Sequence, residues 1–425
     1  MSVSSIFAFV KRSILRKGVW HWVRFVCLLV LGWFAGHELK DNPYVRDIGY
    51  WLYPFQIRLQ DRAPGYPRVT AVVTIEDSDY WGPEFVGRSP LRRDLLASLL
   101  DKLREAEVNT VVLDIDMRSP DPTLPGLDFT NYQSEDAKLF DSIEAMCNAG
   151  QILVVAASIR RQDDQYIPVP SIYDAHKTGT PRNFSCLRPG YIQLPEDLRL
   201  VPGQLSLGND QTLDSLSLAA LGQIDPQAYK FVVESPNRGF LYARYLSEKD
   251  YGPQDNGQYR FTCKGVQRED AVTLRHLLAK KVVLVGGAWH AFAKGQGPVV
   301  DSYNSPMGPM PGVFLHANYI EALDGERGTF APISDLAVEI LEFTLVIALA
   351  LIGALDIHAA WKWGAFALSC VISVVLTYVL LENLGIFLDF LIPILLLIGH
   401  TFVEEFLGMR HKIKHLSHRT AEGHE

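Results

Sequence analysis

The sequence predicts an α/β fold: a mixed or parallel sheet flanked by helices, set between one transmembrane helix before it and three after it. Three observations carry this. Between Val69 and Leu323, short continuous apolar runs that end in acids or glycine alternate with helix-period segments, the order of a parallel sheet. Four longer apolar runs, one before that region and three after it, have the length a bilayer span needs. Basic residues lie before the first run and after the last, which sets an orientation.

The first 19 residues are basic (Lys11, Arg12, Arg16, Lys17) and are expected in the cytoplasm. Residues 20–36 read as a signal anchor, because "WFAGHELK" offers no small-x-small cleavage site. Further spans are expected at 336–357, 363–381 and 386–405, with a short basic cytoplasmic tail at 406–425 (Arg410, Lys412, Lys414, Arg419). Residues 41–330 then lie outside, in a multi-pass protein of the plasma (inner) membrane with both termini cytoplasmic. The chain carries a net charge of −8, which argues against a nucleic-acid surface.

Within the exported region an aromatic amphipathic segment, "NPYVRDIGYWLYPFQIRLQDR", leads from the membrane. A strand over Val69–Ile75 follows, then a helix with Ser89 as N-cap, Pro90 in its first turn and Leu95, Leu99 and Leu103 on one face. "NTVVLDIDM" gives a second strand, "DAKLFDSIEAMCNAG" a helix and "QILVVAAS" a third strand. Residues 159–265 are too rich in proline and glycine to yield a topology. Order returns with the helix "AVTLRHLLAK" and a strand at Val282–Val285 that ends at Gly286-Gly287. A last helix, Val313–Leu323, presents Val313, His316, Ala317, Ile320 and Leu323 on one apolar face, and "DGERGTFAP" reads as a linker to the second span.

Parallel sheets bind ligands beyond the carboxyl ends of their strands. Those ends carry Glu76, Asp77 and Asp79, then Asp114 and Asp116, then Ser158 and Arg160, then His290, with Asp301 in the loop that follows. Glu76, Asp77, Asp114, Asp116, His290 and Asp301 are expected to converge on one ligand-binding rim. A divalent metal or an acid–base pair is the competing reading of the same acids and His290. No HExxH, paired CxxC, GxGxxG, GxxxxGK[ST] or GxSxG occurs, so no catalytic residue, metal or cofactor is expected. His316 reads as a core histidine. His316, Asn318 and the intramembrane Glu342 are the expected coupling residues. Of the exported cysteines, a Cys186–Cys263 bridge and three buried thiols (Cys147, Cys186, Cys263) remain equally open, since sequence does not fix connectivity.

Three blocks together resemble the type-2 CHASE domain, the cyclase/histidine-kinase-associated sensory extracellular family. "VTIEDSDYWGPEF…SPLRRDLLASLLDKL" resembles its opening, and "VNTVVLDIDMRSPDP" its second strand, with Asp114 at the family's aspartate. "KKVVLVGGAWHAFAKGQGPVVDSYNSPMGPMPGVFLHANYIEALDGE" resembles its C-terminal block through Asp301, Pro306, Pro-Gly-Val and His-Ala-Asn. "WGPEFVGRS" departs from the family's Gly-x-Trp-Pro-Trp-type turn. The resemblance implies an extracytoplasmic sensor coupled to a kinase, cyclase or other regulator. About nineteen residues follow Phe406, so the expected effector is a separate polypeptide acting in trans. The expected partners are thus an unidentified small-molecule or protein signal, that effector, the lipid membrane and a second copy in a homodimer, with no nucleic acid. An exported hydrolase using His290, and a non-sensing scaffold, are the alternatives.

Overall fold

Strands that are apolar along their whole length need cover on both faces, and strands of this kind form the middle of a six-stranded central sheet. The computed structural model describes residues 68–118, 129–163, 165–175, 182–207, 211–234, 240–242, 246–253, 258–324 and 329–332, with isolated positions among 44–53, 364–375 and 386–387. The chain divides into a unit at 61–330, which contains the central sheet, and a second at 1–60 and 331–425. Apart from a few positions in the third and fourth, the four expected spans lie outside the described residues, as does Glu342. Among the described residues no helix is long and apolar enough to cross a membrane.

The sheet combines β1 (Thr70–Ile75), β2 (Thr110–Asp114), β3 (Ile152–Ala157), β6 (Leu187–Tyr191), β11 (Arg260–Thr262) and β12 (Val282–Gly287) in the order β11-β1-β12-β2-β3-β6. Every pairing is parallel. Helices α2 (Arg93–Glu105) and α3 (Phe129–Asn148) cover one face. Ala71, Val73, Ile75, Leu113, Val155, Val283 and Val285 meet them in a single core. The side-chain period of two sends Thr70, Val72, Val112, Asp114, Leu284 and Gly286 to the opposite face. There α5 (Leu216–Ile224) and α9 (Gly312–Leu323) pack. The strand-to-helix alternation expected from the sequence is therefore present, and the sheet is parallel throughout.

The segment at 159–265 supplies two sheet strands, β6 and β11. It also forms the hairpins β4 (Ile159–Gln162)–β5 (Gln165–Pro168) and β8 (Gln204–Ser206)–β9 (Thr212–Asp214), and the short helix α4 (Ile172–Ala175). Strand β7 (Leu200–Val201) pairs with β10 (Phe240–Tyr242), and α6 (Pro226–Val233) follows α5.

Several expectations are corrected. Helix α2 starts at Arg93 with Arg92 as N-cap, not at Ser89-Pro90. The cap comes from elsewhere in the fold: the buried Glu135 of α3 accepts the Arg93 N–H at 3.0 Å and holds the Arg88 guanidinium. A disulfide joins Cys147 to Cys186 and not Cys186 to Cys263, with Cα atoms 5.0 Å apart. Its cause is topological, since Cys147 ends α3 and Cys186 leads into β6 beside β3. Cys263 is a buried free thiol whose pKa burial pushes up to about 12. Helix α9 is buried along its entire length and not only on one face, because α5 and the sheet enclose it. The last four residues of the expected linker form β17 (Thr329–Pro332), which pairs antiparallel with β10.

Candidate functional site

The strand-end residues gather in two groups of mutual contacts, an outer and an inner one. The outer one stands at the end of β1. Asp77 opens the short helix α1 (Asp77–Tyr80) and takes the His290 backbone N–H and ring Nδ1, each at 2.7 Å. His290 begins β13 (His290–Phe292), directly after β12. Trp81 donates to the His290 carbonyl at 3.1 Å, and Tyr80 stacks on Trp289 with centroids 4.3 Å apart. Both partners of the Asp77–His290 pair are about one-third exposed. Glu76 instead pairs with Arg260 at 2.8 Å, and Arg260 also reaches Glu248. Asp79 is buried, accepts the backbone N–H groups of Glu76 and Lys264, and has its pKa raised by burial. Asp116 pairs with Arg118, whose backbone N–H it also accepts at 3.1 Å.

The inner group lies between the carboxyl ends of β2 and β12 and the first turn of α9. Asp114 ends β2 opposite Gly286 in the ladder. Gly286 is required: a Cβ there would stand 2.6 Å from the Val313 Cβ, so its absence lets α9 settle on the sheet. Asp301 precedes the hairpin β15 (Ser302–Ser305)–β16 (Gly308–Pro311), which delivers the chain into α9. Its φ of +58° is a left-handed conformation that aspartate tolerates better than most residues. Its carbonyl accepts the Gly312 N–H at 2.9 Å and its carboxyl accepts the Tyr303 hydroxyl at 2.8 Å. A side chain at Gly312 would collide with that carboxyl.

His316 sits one turn into α9, 2% exposed. Its Nε2 is 3.9 Å from Asp114 Oδ1, and its Nδ1 is 3.2 Å from Ser217 Oγ on α5. Burial pushes Asp114 up to about 7. Burial, then the neighbouring Asp114, pushes Asp301 up to about 6. Burial pushes His316 down to about 4 against the pull of Asp301. The Asp114–His316 contact is consequently between a neutral acid and a neutral imidazole over most of the range from about pH 4 to 7, and not an ion pair. The Ser217–His316–Asp114 grouping is also no nucleophilic triad: Ser217 is fully buried and its hydroxyl donates to the His316 carbonyl at 3.2 Å. Among the described residues no three His, Cys, Asp or Glu side chains gather as a metal site.

The C-terminal half of α9 is tied down as firmly. Asn318 accepts the Leu246 N–H at 2.7 Å and donates to the Leu246 and Phe314 carbonyls, each at 3.0 Å. The buried Glu321 takes both the backbone N–H and the hydroxyl of Thr70, at 2.7 and 2.6 Å.

The sequence sets Asp114 and Asp301 on one expected rim and His316 apart from them as a coupling residue, and it does not single out Ser217, Tyr303 or Glu321. Tyr303, two residues beyond Asp301, is the one signal within its reach. Ser217 and Glu321 reveal themselves only once α5 and α9 are stacked.

Comparison with known families decides the lineage. A profile described as the CHASE2 domain matches residues 25–355. The chain belongs to the CHASE2 family. It therefore carries an extracellular sensory domain of the kind that the Asp114 strand and the Pro311–His316 block imply. No curated protein and no solved structure matches this CHASE2 chain.

Proposed function

We propose that this CHASE2 protein is a membrane-anchored sensor: its extracytoplasmic domain binds a signal and relays it through α9 and the membrane segments beyond it to a kinase, cyclase or other regulator on a separate polypeptide. The observation that carries the reading is the attachment of α9. Its first turns close over Asp114 and Asp301 at the strand ends, and its last turn is bonded to Thr70 at the start of β1. A buried helix of twelve residues spans about 18 Å, so one rigid element connects the strand-end cluster to the start of β1. Any ligand that prefers one arrangement of that cluster shifts the helix by no more than its differential affinity. In the expected homodimer, paired membrane helices carry the shift, with Glu342 as a contact inside the bundle.

Inserting four Gly-Ser residues directly after Gly325 separates α9 from β17 and from the segments that follow it. A folded protein that no longer controls its regulator supports the relay; an unchanged response refutes it. Co-purification from native membranes in a mild detergent is expected to recover a specific cytoplasmic partner. Recovery of none refutes the separate effector.

A further inference from the structure

Beside β3 and β6 the domain holds a cavity of about 580 Å³ that takes no part in the α9 cluster. Its walls are Val155, Val169, Tyr173, Phe184, Leu187 and Leu213, contributed by two sheet strands, the α4 turn and the β9 hairpin strand. Of the polar groups at its edge, Arg182 and Asp174 are engaged inside the protein, while the buried Tyr173 hydroxyl has no hydrogen-bond partner among the described residues. Arg182 is held by Asp141 and lies 3.6 Å from Glu144. The Asp174 carboxylate accepts the Ser171 N–H at 3.1 Å and its hydroxyl at 3.0 Å. The Arg182 charge is thus matched by carboxylates of α3, which disfavours an anion as the occupant.

The wall is also pre-organised. Cys186, between Phe184 and Leu187, is bonded to Cys147 at the end of α3. Phe140 packs against both Phe184 and Tyr173, at 5.6 and 6.5 Å between centroids, so the rings form one aromatic surface. The volume falls in the usual range of about 300–1,000 Å³ for small-molecule pockets, and such pockets are mainly apolar and formed in advance.

We propose that this cavity is a binding site for a neutral, mainly apolar small molecule of the aromatic or branched-aliphatic class. The site stands on shape and lining alone, and it survives or fails independently of the relay through α9.

The test uses the purified full chain and the neutral photoreactive probe 3-trifluoromethyl-3-phenyldiazirine, with adducts mapped by peptide mass spectrometry. Adducts are expected in the peptides that carry Val169–Tyr173, Phe184–Leu187 and Leu213. Leu213→Trp, at a half-buried position, fills the cavity with an indole and should lower those adducts at least tenfold. Labelling of residues 336–403 in the same sample should stay unchanged and serves as the reference. The proposal is overturned if the cavity peptides label no more than the exposed Val272 region, or if Leu213→Trp leaves them unaltered. Retention of the Cys147–Cys186 peptide under non-reducing conditions certifies folding. Should Leu213→Trp lose that bridge, Val169→Trp, also half-buried, is read by the same criteria. No effector enters the measurement, so its failure leaves the relay standing.

Discussion

Asp114→Asn isolates the ionisation of one buried carboxyl beneath α9. In the folded protein Asp114 has a pKa of about 7, against 3.8 for the ordinary group, and the cause is burial. At about 1.4 kcal/mol per pKa unit, ionising it inside the fold costs about 4 kcal/mol. The sign comes from proton counting. Between pH 4 and 7 the unfolded chain has released this proton and the folded one has kept it, so the stability that Asp114 contributes is full below pH 4 and falls as pH rises to 7. Asp301 acts in the same direction up to about pH 6. His316 acts oppositely: its folded pKa of about 4 lies below the ordinary 6.5, so its contribution rises with pH across that interval. His316 thus offsets one of the two acids, and the wild type loses stability from pH 4 to 6 through the other. Asparagine removes the Asp114 slope. The variant's stability relative to wild type should therefore climb by about 3 kcal/mol between pH 4.5 and 7.5, a relative rise in Tm on the order of 10 °C for a domain of this size. Thermal unfolding of both full-length proteins at pH 4.5, 6.0 and 7.5, monitored by tryptophan fluorescence, reads it directly. A difference in Tm that stays constant across the three pH values refutes the neutral, buried Asp114.

Three further outcomes rest on the packing. Gly286→Ala drives a methyl into Val313 and should cost about 1–3 kcal/mol, measured as a lower unfolding midpoint in urea. Thr70→Val removes the 2.6 Å hydroxyl bond to Glu321, whose pKa burial already raises; a loss of about 1–3 kcal/mol is expected, and a thermal shift below about 1 °C refutes it. Cys147→Ser opens a loop with a sequence separation of 39 residues, for which chain entropy gives a loss of about 4 kcal/mol. An unchanged melting curve, with the reduced Cys186 confirmed by mass, would contradict the bridge.

The legible part of the fold is the part whose strands are buried on both faces. "TAVVTI", "TVVLD", "ILVVAA" and "VVLVGG" are continuous apolar runs, and each is an inner strand. The strand "LRPGY" is unreadable by the same rule. It is an edge strand with Arg188 and Pro189 exposed, and a proline is tolerated only there. The opposite edge, "RFT", has three residues and is defined by its pairing with β1. The site divides in the same way. Acids at strand ends follow from topology, which is why Asp77 and Asp114 are legible as candidates. Their separation into an exposed pair and a buried cluster depends on α9 lying over β2 and β12. A helical wheel cannot show that Asn318 and Glu321 face Leu246 and Thr70 and not water.

The way α9 is held limits how a signal can move it. Rotating or sliding the helix against the sheet would break the Thr70 bonds to Glu321, the Leu246 bonds to Asn318 and the Ser217 contact with His316 together. Each buried group left without a partner costs about 1–3 kcal/mol, and the sum exceeds the roughly 5.5 kcal/mol of differential affinity that turns a 1:99 population into 99:1. A one-turn slip of α9 is therefore out of reach for an ordinary ligand. The motion within reach is that of α9 together with β1 and β12, as a block that includes the start of the first strand. Thr70 and Glu321 both belong to that block. On this reasoning Thr70→Val, which loosens the pair without touching the strand-end cluster, should weaken the transmitted response more than it weakens signal binding. Equal losses in both would place the relay somewhere other than α9.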